Sequence, residues 1–169
     1  MDPMTESAAA LLYALAWTAA RLPWPVLRAM ADAMAWLSRA SNGREARVAR
    51  RNLELVRPDL AAAAREALLR EILRTTSRQA FETLRLWTRP AARNLADIAE
   101  VHGEALFDAA LADGCGLIVA APHMGNWELL NQWLAAKTPL AILYRPPESE
   151  VGEAFLRRVR ANAGGQVEQ

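Results

Sequence analysis

The sequence predicts an α/β protein, with an N-terminal helical region in residues 1–95 followed by a mainly parallel β-α-β-α-β sheet unit in residues 96–169. The first observation is that apolar residues in the N-terminal part recur at steps of three and four, which is the period of an α-helix. The second is a change of pattern after residue 95, where short apolar segments at residues 98–102, 117–121 and 142–144 alternate with helical segments. This order is typical of parallel strands joined by helices.

The composition describes a globular chain and excludes several functional classes. The 169 residues are 53% hydrophobic, which is enough for a sizeable core. A net charge of +1 and the lack of a Gly-rich phosphate-binding loop indicate neither nucleotide nor nucleic-acid binding. Cys115 is the single cysteine, so an internal disulfide is excluded, and no paired Cys/His spacing indicates a metal site. Lys137 is the only lysine; the other basic residues are arginines, which suit the phosphates of an anionic lipid.

The first predicted helix covers the uncharged, apolar residues 7–20. A membrane span needs about 20 such residues, so this run is marginal as a span and equally suits a core or interfacial helix. Asp2 and Glu6 precede it, which is not typical of a secretion signal. Three tryptophans fit either the membrane-water boundary or a protein core: Trp17, Trp24 and Trp36.

Two further helices are predicted at residues 26–38 and 43–56, separated by the turn signal Ser41-Asn42-Gly43. The second of them carries arginines along one side and apolar residues along the other. Such a helix fits contact with anionic headgroups, and it fits a solvated basic face as well.

The longest predicted helix runs over residues 58–88, with Asp59 as its N-cap. Its apolar residues form one continuous stripe, which indicates a scaffold element rather than a catalytic one. Two ion pairs at a spacing of four residues are predicted on its exposed side, Glu66 with Arg70 and Arg78 with Glu82.

The chemistry is concentrated where the predicted strand at residues 117–121 meets a predicted helix at residues 128–137. His123 and Glu128 are five residues apart, so they would face apart on one helix but can meet across a strand-to-helix turn. A carboxylate that bonds one imidazole nitrogen leaves the other free to accept a proton from a hydroxyl. Gly125 lets the backbone approach a ligand, and the amides that begin the helix can face an oxyanion.

Two alternatives to this dyad remain. A buried histidine bonded to the backbone beside an ordinary first-turn glutamate would show the same spacing, and a Cys115 thiol could instead be the nucleophile that pairs with His123. The second histidine, His102, has no suitably spaced acid and is predicted to be a surface residue.

Two blocks carry a family resemblance. Residues 121–128, APHMGNWE, resemble the His-x4-Asp/Glu motif of the glycerolipid acyltransferase superfamily, and more narrowly that of the lipid A biosynthesis secondary acyltransferases of bacteria. Residues 142–146, ILYRP, resemble the family's strand that ends in Tyr-Arg-Pro, and they lie at the expected distance after the first block. The resemblance covers only the first half or so of a full-length family member, so the sheet unit is predicted to be truncated.

The resemblance implies an acyltransferase on the cytoplasmic face of the inner membrane, held by an N-terminal membrane anchor. It would move a fatty acyl group from an acyl-carrier-protein or coenzyme A thioester to a hydroxyl of a lipid A precursor or related glycolipid. His123 is then the general base, Glu128 orients and charges it, and Arg145 holds a phosphate, whereas Gly125 and Asn126 shape the turn or donate to the oxyanion. No metal or other cofactor is expected, because a thioester is already activated.

Two rivals remain beside this interpretation. The first is a truncated, catalytically inactive module that associates with a membrane through its helices. The second is a hydrolase that uses Cys115 or a serine, although the Gly-x-Ser-x-Gly elbow is absent from the sequence.

Overall fold

The computed structural model describes residues 2–122, 124–143 and 147–162, the last three of these without their side chains. Within these ranges the chain forms a series of α-helices. They are α1 (Pro3–Ala19), α2 (Trp24–Ala40), α3 (Arg44–Val56), α4 (Ala62–Thr88), α5 (Ala91–Leu95), α6 (Glu104–Ala112), α7 (Trp127–Lys137) and α8 (Glu150–Asn162). Among the described residues, no helix is both long enough and apolar enough to pass through a bilayer.

The predicted sheet is wrong. The structure is 71% helical and has no strand among the described residues, so the β-α-β-α-β unit is not present there. Residues 98–101 and 116–122 belong to neither helix nor strand, and Ile118 is 97% exposed. A strand forms only when a neighbouring strand makes hydrogen bonds with its N–H and C=O groups. An apolar run of five residues does not show whether such a partner strand exists.

The helices were predicted more successfully. The predicted segment at residues 104–112 is α6, the one at 128–137 is α7 extended by a residue, and the segments at 26–38 and 43–56 match α2 and α3. The prediction that Asp59 is the N-cap of the long helix was wrong. The helix α4 begins at Ala62, and the carboxylate of Asp59 accepts hydrogen bonds from Arg57.

The described chain divides into two compact units. One of them, Ala10–Thr88, packs α2 and α3 against α4 around a core of small and branched apolar residues. This core consists of Ala35, Ala46, Leu53, Leu69 and Leu73. The carboxylate of Asp32 on α2 accepts two hydrogen bonds from Arg78 on α4, both at 2.6 Å, and this ion pair lowers the pKa of Asp32.

The other unit comprises Met1–Ala9 and Arg89–Gln169. In it α5 contacts α7, and Lys137 at the end of α7 pairs with Glu104 and Asp108 of α6. The segments with candidate chemistry lie in this unit. The predicted domain boundary at residue 95 stays a prediction.

Candidate active site

The turn that leads into α7 has a backbone conformation that suits glycine. Gly125 has a φ of 61°, in the left-handed region that residues with a Cβ rarely adopt. Asn126 follows as the N-cap, and its carbonyl oxygen accepts a hydrogen bond from the backbone N–H of Leu129 at 3.1 Å. The glycine thus lets the chain turn directly into the helix that carries Glu128.

Glu128 lies in the first turn of α7 and is only 6% exposed. A carboxylate is favoured near a helix N-terminus by the helix dipole, yet removing it from water is costly unless other groups stabilise the charge. A carboxylate that burial holds in place can orient an adjacent base and stabilise the positive charge that the base acquires. His123 and Arg145 lie outside the described residues, so the His123–Glu128 dyad and the phosphate contact of Arg145 stay predictions.

The side chain of Asn126 is not used for capping. Its Nδ2 and Oδ1 atoms are buried, and neither makes a hydrogen bond within the described part of the chain. A buried amide with no partner among the described residues is unusual, because such groups are stabilised by hydrogen bonds in nearly all proteins. Asn126 also lines a cavity, so its buried amide lies beside that cavity.

This cavity, which we call the α6–α7 groove, has a volume of about 410 Å³. Its apolar lining is Val101, Phe107, Val119, Leu129, Leu130, Trp133 and Leu134. Its polar lining is Glu100, His102, Glu104 and Asn126. Apolar walls with a few polar groups are typical of sites for small organic ligands, and the volume lies within their usual range of about 300–1,000 Å³.

Contacts between α6 and α7 hold the walls of the groove together. The rings of Phe107 and Trp133 are tilted by 60° with their centroids 5.1 Å apart, a favoured aromatic arrangement. The Lys137 ammonium lies 2.5 Å from Glu104 and 3.4 Å from Asp108, and 5.3 Å from the Trp133 ring. The hydrogen bond to Glu104 is the main reason why the pKa of Lys137 is raised.

Sequence reasoning placed some of these residues and missed others. His102 was predicted at the surface, and its side chain is 84% exposed beside Glu100, which confirms that prediction. The groove was missed, because apolar periodicity gives the apolar faces of α6 and α7 but does not show that these two faces meet. A buried hydrogen bond from Asn94 to Gln132 was also missed, since neither residue stands in a recognisable motif. In the described residues no group of three or more His, Cys, Asp or Glu side chains is placed to hold a metal ion.

Comparison with known proteins identifies the family. A family model described as bacterial lipid A biosynthesis acyltransferase matches residues 3–168, nearly the whole chain. The chain belongs to this family. This match confirms the family resemblance found in the sequence.

Individual relatives agree with the family. The lipid A biosynthesis palmitoleoyltransferase of Escherichia coli K12 is 28% identical over 144 residues, covering 85% of this chain and 47% of the relative. A phosphatidylinositol mannoside acyltransferase of Mycobacterium tuberculosis H37Rv is 34% identical over 138 residues, covering 79% and 42%. A lipid A biosynthesis acyltransferase of Haemophilus influenzae is 32% identical over 130 residues, covering 76% and 41%. This member of the lipid A acyltransferase family spans about half the length of these relatives.

Proposed function

We propose that the protein transfers a fatty acyl group from a thioester to a hydroxyl of a glycolipid, either a lipid A precursor or a related acceptor. Family membership supports the acyl transfer, and the names of the relatives support a glycolipid acceptor. The structural observation that carries the proposal is a carboxylate, Glu128, buried in the first turn of the helix that also forms one wall of an apolar groove.

The reaction needs a base, because an alcohol is a weak nucleophile at neutral pH. His123 removes the proton of the acceptor hydroxyl as its oxygen attacks the thioester carbonyl. Glu128 keeps the imidazole in the required tautomer and stabilises the imidazolium that forms. When the tetrahedral intermediate collapses, the C–S bond breaks and the thiolate takes the proton back from the imidazolium. The products are an ester and a free thiol.

Asn126 is assigned to the oxyanion of the tetrahedral intermediate. Its side-chain amide is buried at the groove and makes no hydrogen bond within the described residues. A preorganised N–H donor in a water-poor site stabilises the negative charge that the carbonyl oxygen acquires. The turn at Gly125 supports this role, because it brings the asparagine to the start of α7.

The α6–α7 groove is proposed to hold the acyl chain. Its lining is dominated by aliphatic and aromatic side chains, and an alkyl chain gains about 0.8 kcal/mol for each methylene that leaves water. The donor is an acyl carrier protein or coenzyme A thioester, and Arg145 is assigned to a phosphate of the donor or acceptor. No further cofactor enters the reaction, since the thioester is already activated.

An exposed apolar stripe on α2 supports a place at the membrane. Val26, Met30, Met34 and Leu37 recur at steps of four, four and three residues and are each 42–59% exposed. The adjacent stripe of Leu27, Ala31 and Ala35 is buried. Helix faces toward water are normally polar, whereas an interfacial helix buries its apolar face among lipids. We assign this stripe to the cytoplasmic face of the inner membrane, where the acceptor lipid would be reached.

The proposal is tested by expressing the complete reading frame that carries these residues and measuring transfer from an acyl thioester to a lipid A precursor. We expect His123→Ala to lose about 10²–10⁴ in rate, the usual worth of a general base. Glu128→Gln should lose less, with acceptor binding intact. Glu82→Gln, a matched change on the exposed side of α4, should keep the parental rate. A His123→Ala protein as active as the parent would refute the proposed function.

A further inference from the structure

A buried amide pair connects α5 to α7. The Asn94 side chain donates a hydrogen bond from Nδ2 to the Oε1 atom of Gln132 at 2.8 Å. Asn94 is 1% exposed and Gln132 is 6% exposed, although 38 residues separate them in sequence. Both amides have given up their contact with water, so the geometry of this bond is strongly favoured over any arrangement that breaks it.

Gln132 shares a helix face with Glu128. The two residues are four apart on α7, which places them one turn from each other, and both are 6% exposed. The face of α7 that buries the Glu128 carboxylate is therefore the face to which Asn94 is bonded. A rotation of α7 about its axis would move both side chains together.

The short helix α5 provides a fixed support for this contact. Arg89 just before α5 and Asp97 just after it form an ion pair at 2.8 Å, which closes the segment around Asn94. The apolar contacts of α7 tolerate small rotations, because hydrophobic burial is not directional. A hydrogen bond requires donor and acceptor to be aligned, so it selects one rotation.

We propose that Asn94 and Gln132 are positioning residues, whose hydrogen bond sets the rotation of α7 and so directs the Glu128 carboxylate at the general base. The inference rests on the proposed function and adds to it two residues outside the His-x4-Glu motif. A carboxylate displaced by about 1 Å from its productive position can reduce a rate by about 10²-fold, so a single hydrogen bond one turn away has a large effect.

The test compares Gln132→Met and Asn94→Leu, which keep approximate shape but remove the bond, with the parent and with Glu128→Gln. The readout is the pH dependence of kcat/KM. We expect kcat to fall by up to about 10²-fold with little change in KM, and the acidic limb to move to lower pH. The limb reports the pKa of the base, which falls when its imidazolium loses a well-directed carboxylate.

Three further variants separate positioning from folding. Ser77→Ala removes a buried polar group in the other unit and should leave the limb unmoved. The exchange of Asn94→Gln with Gln132→Asn keeps an amide pair of the same total length and should restore part of the rate. Adding Gln132→Met to Glu128→Gln should cause no further loss, because both act on one carboxylate. An acidic limb at the parental pH in Gln132→Met, or losses that multiply in the double variant, would overturn the inference.

Failure of the proposed function gives a different result. If His123→Ala is as active as the parent, the catalytic assignment falls, and the positioning is then judged without turnover. Titration of the His123 imidazole by NMR, with its signal assigned from a His123→Asn sample, should give a lower pKa in Gln132→Met than in the parent. Equal values in the two proteins would overturn the positioning.

Discussion

If the α6–α7 groove holds the acyl chain as proposed, filling the groove should shorten the acyl chain that is preferred. Leu130 lines the groove and is partly buried, so Leu130→Phe adds volume there without forcing a polar group into the interior. The ring adds about three heavy atoms, the room of about three methylenes, and each buried methylene contributes about 0.8 kcal/mol. Chains long enough to fill the groove should therefore lose about 2.4 kcal/mol, or roughly 60-fold in kcat/KM, relative to short chains.

The assay is a series of acyl thioesters that differ by two methylenes, measured one by one and then in competition. Leu106→Phe is the matched control, because Leu106 lies on the same pair of helices but is 78% exposed and does not line the groove. The control should keep the parental chain-length profile. If Leu130→Phe also keeps that profile, or lowers all chain lengths equally, the groove does not bind the acyl chain.

Three other predictions concern the side chains of Asn126, Met34 and Asp32. Asn126→Ala should lower kcat by about 10²–10³ with KM nearly unchanged, because the oxyanion exists only near the transition state; a raised KM with an unchanged kcat would contradict this role. Met34→Glu on the exposed stripe of α2 should weaken flotation with anionic phospholipid vesicles at least about tenfold, since burying a methionine contributes about 1.5–3 kcal/mol. The control Leu106→Glu should leave flotation unchanged. If Met34→Glu floats as well as the parent, the stripe does not contact the membrane. Because the pKa of Asp32 is lowered, its pair with Arg78 stabilises the fold above the ordinary aspartate pKa, and this stabilisation is lost as the pH falls through the lowered value. Thermal melts followed by circular dichroism should therefore show Asp32→Asn melting at a lower temperature than the parent at neutral pH and at the same temperature in strong acid. A difference in melting temperature that persists in acid would contradict the pairing.

The helices were predictable because their hydrogen bonds join residues four apart. Each segment with a clear apolar period became a helix, and α6 matches its predicted bounds. The same locality explains the turn before α7, where the sequence placed a glycine and the structure shows a positive φ. The family was predictable for another reason, since the residues of the motif are contiguous and can be read without knowing the fold.

Pairing between distant residues was not predictable. Glu66 was expected to pair with Arg70 on its own helix, and the structure pairs it with Arg39 of α2 and Arg50 of α3. Arg78 was expected to pair with Glu82 and instead donates to Asp32 of α2. Local spacing shows only which partners are within reach along one helix, whereas packing brings acids from other helices equally close.

By itself, the sequence determined most of the helices and the family, because these depend on periodicity and on contiguous motifs, whereas the His123–Glu128 dyad stays a prediction. Only the tertiary structure decided that the apolar segment at residues 116–122 is not a strand, that α6 and α7 enclose a groove, and that Asn94 bonds Gln132 behind Glu128. The physical reason is the range of the interactions. A helix satisfies its backbone within one turn, but a strand, a cavity wall or a buried amide pair is defined by a second segment whose distance along the chain no local pattern records.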